Sequence, residues 1–286
     1  MHTAKSKIIG VDMGGTNIRA GLIENGVLGQ IVKTATPSDS SGEEVIETLV
    51  ELVAALDPTS AEAIGIGVPT IVDIERGIVY NATNIKNWKE VPLKQILENR
   101  LGIPVFVNND ANCFAAGEKY FGKAKGYSSV VGLVLGTGLG TGLILNDRLY
   151  EGKNCGAGEM CNLPYLNRNY EYYSCGQFFK DELKTTAHEV YDQAVSGDPM
   201  ALKYFETFGF HLGKFIQAIL YAYDPQLIVF GGSVTQAFPF FSPAMYCSME
   251  EGFIFPNSLK NLKIEISELE NVAIYGAASL VFEKVK

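Results

Sequence analysis

Ile8-Ile9-Gly10-Val11-Asp12-Met13-Gly14-Gly15-Thr16 is a short apolar run that ends on two glycines, and it continues as Ile18-Arg19-Ala20-Gly21-Leu22-Ile23 up to Asn25-Gly26. Runs of this length bounded by glycine and Asn-Gly read as strands joined by tight turns, with a third strand expected after the Asn-Gly pair. The pattern returns later in the chain. Val130-Val131-Gly132-Leu133-Val134-Leu135-Gly136 enters a Thr-Gly-rich turn and leaves it as Gly142-Leu143-Ile144-Leu145-Asn146-Asp147. Gly10 matches Gly132, Gly14 matches Gly136, Gly21 matches Gly142 and Asn25 matches Asn146 after a one-residue gap in the turn. This internal repeat is the strongest organisational signal in the sequence and predicts two related halves.

Between the copies, Val45, Leu49, Leu52, Val53 and Leu56 share one helical face over residues 42–56, residues 63–72 read as a buried strand, and residues 93–101 as a helix. Pro104-Val105-Phe106-Val107 is a further short strand that ends at Asn108-Asn109-Asp110. After the second copy, Phe205, Phe208, Leu212, Phe215, Ile216, Ile219 and Tyr223 predict one long helix over residues 201–223, stopped by Asp224-Pro225. Leu227-Ile228-Val229-Phe230 then gives a strand and Gly231-Gly232-Ser233 a turn. Alternating strands and helices predict an α/β protein, and the repeat predicts two lobes with a cleft between them. The expected lobes are residues 1–120 and 121–271, with a terminal helix at about 272–286 a candidate to rejoin the first.

The chain has 286 residues, 47% of them hydrophobic, which suffices for two cores. Lys and Arg number 23 against 32 Asp and Glu, a formal charge of −9, and a surface of that sign repels nucleic acid and anionic lipid alike. Residues 126–145 carry no charge over about the length of a membrane span, but their repeated Gly-Thr-Gly pattern predicts strand, turn and strand instead. With no secretory leader evident, a cytoplasmic protein is expected. Cys113, Cys155, Cys161, Cys175 and Cys247 are odd in number and never spaced C-x-x-C, so they read as reduced packing residues.

Asp12 ends a buried strand, and the glycines after it let backbone N–H groups approach an anion closely, with Thr16 and Asn17 as added donors. Alone, a Gly-Gly turn also serves as a plain tight hairpin. The loop Gly136-Thr137-Gly138-Leu139-Gly140-Thr141-Gly142 at the matching place in the repeat strengthens the phosphate reading, since two such turns can hold one nucleotide. Asp12 has Val134 as its counterpart, and one carboxylate near a polyphosphate is what Mg²⁺ needs, usually through water.

Asp12-Met13-Gly14-Gly15-Thr16-Asn17, Asn108-Asn109-Asp110-Ala111-Asn112, Gly136-Thr137-Gly138 and Gly231-Gly232 fall in an order and spacing that resembles the ROK (repressor, open reading frame, kinase) family over nearly the whole chain. The resemblance implies a two-lobed actin-like ATPase (ribonuclease H-like) fold with a nucleotide and sugar cleft. It implies phosphate binding by Gly14, Gly15, Thr16, Asn17, Gly136, Thr137 and Gly138, and adenosine beside Gly231 and Gly232. Asp110 would be the catalytic base toward a sugar hydroxyl, with ATP and Mg²⁺ as cosubstrate and metal. Sugar contacts are implied at Asn84, Asn109, Asp110 and Glu159, whose amides and carboxylates suit a polyol. Without the resemblance, Asn108-Asn109-Asp110 reads as a turn or helix cap. Trp88, in a segment resembling the family's Asn-x-x-x-Trp, is expected to pack rather than bind sugar, and family members commonly pair as homodimers.

The sequence departs from the family in one region. Asn162 stands where the family has a zinc-ligating His, and Tyr170-Glu171-Tyr172-Tyr173-Ser174-Cys175-Gly176-Gln177 replaces its cysteine cluster, leaving Gln177 at the place of a sugar-contacting Glu. A structural zinc wants four Cys or His ligands, so no zinc is expected, and packing by Tyr170, Tyr172, Tyr173, Phe178 and Phe179 is expected to fasten the segment. Pro69-Thr70 replaces a common Pro-Gly, so Asn162, Gln177 and Thr70 together imply an altered sugar pocket. His2, His188 and His211 form no metal or nucleophile constellation. The reading is ATP-dependent phosphorylation of a hexose or hexose derivative at the 6-hydroxyl, as in glucokinases, with N-acetylhexosamines, allose and fructose left open as substrates. Two readings compete with it: a sugar-binding sensor without catalysis, and a regulator that would need a helix-turn-helix ahead of a fold beginning at about Ile8.

Overall fold

The computed structural model describes residues 6–38, 41–82, 85 and 87–284. The chain forms two compact units, one of Met1–Gly126, Arg148–Ala157 and Glu268–Lys286, the other of Tyr127–Asp147 and Gly158–Ser267.

The first unit is built on a twisted sheet whose strands lie in the order Val27–Ala35, Asn17–Glu24, Lys7–Met13, Ala63–Val68, Val105–Asn109. The first pairings are antiparallel, as hairpins must be, and the Lys7, Ala63 and Val105 strands run parallel. Side chains of the central strand alternate between two buried faces. Ile9, Val11 and Met13 join Val45, Leu49, Leu97 and Trp88 on one side, while Ile8 meets Ile274, Ala278 and Phe282 on the other. The helices Gly42–Ala54 and Leu93–Leu101 cover the first face. The second is covered by the helix Val272–Lys284, which returns from the end of the chain. That helix comes so close that a Cβ on Gly10 would strike the carbonyl of Ile274, and one on Gly65 the carbonyl of Ala277. Trp88 is 1% exposed and its Nε1–H donates to the Gly42 carbonyl at 3.2 Å, so it packs and ties the helix start.

The second unit repeats the plan. Leu139–Leu145, Val130–Leu135, Leu227–Gly231 and Lys263–Ile266 lie side by side, antiparallel and then parallel. The repeat is visible residue by residue: Gly10 faces Gly21 in one hairpin and Gly132 faces Gly142 in the other, and Asn25 and Asn146 both take the left-handed conformation, φ 52° and 53°. The helix Pro199–Tyr223 begins two residues before the expected start at 201, with Asp198 as its cap. It packs on Phe238–Glu250, where Gly209 and Gly213 let the Phe241 and Met245 backbone approach. Phe238, Phe240 and Phe241 are spent within this unit, against Phe230, Phe205 and Phe208. The expected strand over 63–72 stops at Val68 because Pro69 follows, and Val72–Asp73 pairs separately with Ile78–Tyr80. Among the described residues, no helix is long and apolar enough to cross a membrane.

Candidate active site

In the first unit the polar residues gather where the parallel strands end, the usual binding edge of such sheets. Register sets Arg19, Asp12, Gly67 and Asn108 in one row across neighbouring strands, so Asp12 and Asn108 stand two strand spacings apart, about 10 Å. Asp12 is held by the residue facing it. Arg19 Nη2 and Nε both donate to its Oδ2, at 2.5 and 3.1 Å, and its side chain is 14% exposed. The turn beyond it is closed by Gly14 N–H to the Asn17 carbonyl at 3.0 Å. It is braced by Thr36, whose hydroxyl donates to the Gly14 carbonyl at 2.7 Å and whose N–H donates to the Thr16 carbonyl at 2.9 Å. Thr16 is exposed at its tip and Gly15 half-buried.

Asn108-Asn109-Asp110 is the hinge from the Val105–Asn109 strand into the helix Asp110–Tyr120. Asn109 caps that helix through its side-chain oxygen, which accepts from Ala111 N–H at 2.9 Å and Asn112 N–H at 3.4 Å, while its Nδ2 donates to the Thr70 carbonyl at 3.3 Å. Asp110 is the first helical residue, exposed, with Oδ1 accepting from Ala111 N–H at 2.8 Å. The cap reading of this motif is therefore met by Asn109, and Asp110 is left exposed at the helix start. Gly67 permits the arrangement, since a Cβ there would already touch Cys113 Sγ at 3.2 Å and lie 3.8 Å from Asp110 Cα.

A buried polar network behind the hinge was not read from the sequence. Asn108 is 1% exposed; its Oδ1 accepts from Asn109 N–H at 2.8 Å, Asn112 Nδ2 at 3.0 Å and the Cys155 thiol at 3.4 Å, and its Nδ2 donates to Glu151 at 2.6 Å. Cys155 holds φ 57°, a left-handed conformation that favours glycine. Burial pushes its thiol pKa up, so it stays protonated and able to donate.

In the second unit the matching loop Gly136-Thr137-Gly138 is closed by Gly136 N–H to the Gly138 carbonyl at 3.0 Å. Residues 171–177 hold it from outside. Gly176 N–H donates to the Gly136 carbonyl at 2.8 Å, Gln177 N–H to the Thr137 carbonyl at 3.2 Å, and Leu139 N–H to Glu171 Oε1 at 3.2 Å. A cavity of about 310 Å³ lies between Thr137, Gly138, Glu171, Tyr172, Cys175 and Gln177. Gly231 ends its strand, and Gly232, at φ 89°, passes so near the Leu135 carbonyl that a Cβ would collide with it.

Glu159 opens a short 3-10 turn, Glu159–Asn162, with Asn162 Nδ2 donating to its Oε2 at 2.9 Å. Although Glu159 reaches solvent, desolvation raises its carboxyl pKa; the Asn162 bond opposes that rise and the Glu171 charge adds to it. Gln177 Nε2 is engaged with Asp181 at 2.7 Å. Asn84 lies outside the described residues.

The donors around this segment do not fit a Cys and His zinc site. Cys161 accepts from Asn162 Nδ2 at 3.6 Å and Cys175 from Gln177 N–H at 3.4 Å, with burial pushing their pKa values up to about 12 and about 11. An aromatic cluster occupies the neighbourhood. Tyr165 stacks on Tyr170 at 4.4 Å, Tyr173 lies 4.8 Å from the His211 ring, and the Tyr165 hydroxyl is hydrogen bonded to His211 Nδ1 at 3.1 Å. His211 is thus a packed residue of this cluster, whose desolvation lowers its pKa.

Comparison with known proteins gives the family and the fold. The chain is 31% identical to a glucokinase of Thermotoga maritima, over 98% of this chain and 99% of that one. It is 28% identical to the xylose repressor of Bacillus spizizenii, over 79% of this chain and 62% of the repressor. The structure superposes on a ROK family glucokinase from Streptomyces griseus, in complex with glucose and AMPPNP, with a TM-score of 0.80 at 28% identity, covering 96% of this chain and 98% of that one. The fold is therefore the actin-like ATPase fold. With the ROK family profile matching residues 8–284, the chain belongs to the ROK family.

Proposed function

We propose that this protein transfers the terminal phosphoryl group of ATP to a hexose or hexose derivative, at the 6-hydroxyl. The observation that carries the reading is Asp110, an exposed carboxylate on the first turn of a helix at the end of a parallel strand, in a chain similar throughout its length to a glucokinase. In that role Asp110 accepts the proton of the attacking hydroxyl, and Asn84, Asn109, Glu159, Asn162 and Gln177 would contact the sugar. Gly14, Gly15, Thr16, Asn17, Gly136, Thr137 and Gly138 would hold the phosphate chain, and Gly231 and Gly232 would lie beside the adenosine. A magnesium ion would neutralise charge on the transferring phosphoryl group. Asp12 fits as its partner through water, because both Arg19 contacts fall on Oδ2 and leave Oδ1 for a hydration shell. We further propose that the two units are the lobes that handle sugar and nucleotide, that the protein works in the cytoplasm, and that it pairs as a homodimer, the last to be read from its mass in light scattering.

The similarity to a xylose repressor favours one second reading, a sugar-binding sensor that does not turn over. One experiment separates the two. ATP- and Mg²⁺-dependent phosphorylation is measured with glucose, mannose, fructose, allose, N-acetylglucosamine and N-acetylmannosamine. Turnover of one of these establishes the kinase, whereas sugar binding with no turnover of any establishes the sensor.

A further inference from the structure

We propose that Glu171 is a built-in anion of the Gly136–Leu139 turn and sets how tightly that turn takes a phosphate chain. The proposal rests on the reading of this turn as a phosphate site. Backbone N–H groups of a glycine turn attract anions because they converge on one point without side chains in the way. Here the Leu139 N–H already has an anionic partner, Glu171 Oε1 at 3.2 Å, brought from 32 residues away. Gly138 is shaped around the same oxygen, since a Cβ there would stand 2.8 Å from Glu171 Oε1. The carboxylate is locked into register by its neighbours: Gly176 N–H and Gln177 N–H bind the carbonyls of Gly136 and Thr137, and a Cβ on Gly176 would lie 2.8 Å from the Gly136 carbonyl. Glu171 also faces the cavity that Thr137 and Gly138 line. Its charge reaches the surrounding groups, adding to the burial that raises the proton affinity of Glu159, Cys161 and Cys175.

A phosphate group entering this turn meets a carboxylate on the N–H it would use. It either displaces Glu171 or binds beside a like charge, and both weaken it. The carboxylate holds the turn through the Leu139 N–H, so the same residue preorganises the loop and limits its affinity. Removing the charge while keeping the shape therefore tightens phosphate binding, an effect that damage to the fold cannot produce.

The test is isothermal titration of wild type and Glu171→Gln with magnesium-free tripolyphosphate. Glu171→Gln is expected to bind about three- to tenfold more tightly at low salt, as expected for one like charge removed at close range. The ratio should narrow as salt is raised toward 0.5 M. Equal or weaker binding by Glu171→Gln overturns the proposal, as does no binding by either protein. Should Glu171→Gln fail to fold, Glu171→Ser, in which water can take the vacated N–H, is expected to shift in the same direction and is judged by the same criteria. Tightened tripolyphosphate binding in a protein that phosphorylates none of the sugars would remove the kinase reading while leaving the assignment of Glu171 intact.

Discussion

Asp110→Asn separates chemistry from architecture at one residue. Asp110 Oδ1 accepts a hydrogen bond from Ala111 N–H at 2.8 Å, and an amide oxygen can take its place. The helix start is independently capped by Asn109 at Ala111 and Asn112, and the favourable interaction of a carboxylate with the helix N-terminus that is lost there is about 0.3–1 kcal/mol. Catalysis loses far more if Asp110 is the base. Removal of a positioned general base lowers turnover by about 10²–10⁴, or about 2.7–5.5 kcal/mol at 1.36 kcal/mol per decade. The two effects differ severalfold and are read by different instruments. A coupled ADP-release assay on the sugar that wild type accepts gives kcat and KM, and a thermal melt gives stability. The expected outcome is a kcat below a hundredth of wild type, a sugar KM within a few fold, and a nearly unchanged melt. Asn109→Ala is the converse control, costing about 1 kcal/mol of helix capping and moving the melt as well. If Asp110→Asn keeps more than a tenth of wild-type kcat, Asp110 does not take the proton and the mechanism is wrong.

Gly65→Ala pushes a methyl into the Ala277 carbonyl, a backbone atom that cannot swing aside, and is expected to destabilise the first unit by about 1–3 kcal/mol in chemical denaturation. His211 is half-buried among tyrosines with a lowered pKa, so its neutral form is the stable one in the fold. That contribution is present above about pH 6.5, the ordinary histidine value, and is lost as pH falls through the lower folded value. Thermal melts of wild type should drop over this range more than those of His211→Phe, and parallel profiles would show that His211 does not titrate there. Glu159 has the opposite sign. Its raised pKa makes ionisation unfavourable in the fold, so stability falls as pH rises from about 4.5 through its folded value. Glu159→Gln should melt higher than wild type at pH 7 and equal to it near pH 4, while sugar binding by calorimetry is lost.

The parts of this molecule legible in the sequence are those written locally. The hairpins, the capping of the Asp110 helix and the long helix Pro199–Tyr223 each follow from residues within a few turns of one another. Arg19 was legible as well, though it was not read. Once Gly10 is set opposite Gly21, antiparallel register places Asp12 opposite Arg19 without further information. Other features are written at long range. Glu151 and Cys155 belong to a short excursion, Arg148–Ala157, that comes back behind Asn108, and nothing in residues 105–109 announces partners more than forty positions away. Gly152, Asn154 and Gly156 do announce a turn there, but that Cys155 rather than a glycine takes the left-handed conformation shows only in φ.

The duplication explains why Glu171 exists as a partner at all. In the first hairpin the strand itself ends in a carboxylate, and the facing strand supplies Arg19 to neutralise it, so charge and turn are settled within a few residues. In the second hairpin Asp12 is matched by Val134, and the residue facing Val134 is Gly140, so that copy has neither the carboxylate nor the arginine. The turn still needs its orphan N–H and carbonyl groups satisfied when no ligand is bound. The first copy does this with its own hairpin and Thr36, from the strand beside it. The second draws on Glu171, Gly176 and Gln177, from the very stretch in which this chain departs from the family's cysteine cluster. Changes in that stretch therefore act on the Gly136–Leu139 turn, and on the proposed assignment of that turn to phosphate a substitution at Glu171 should alter donor affinity before it alters the choice of sugar.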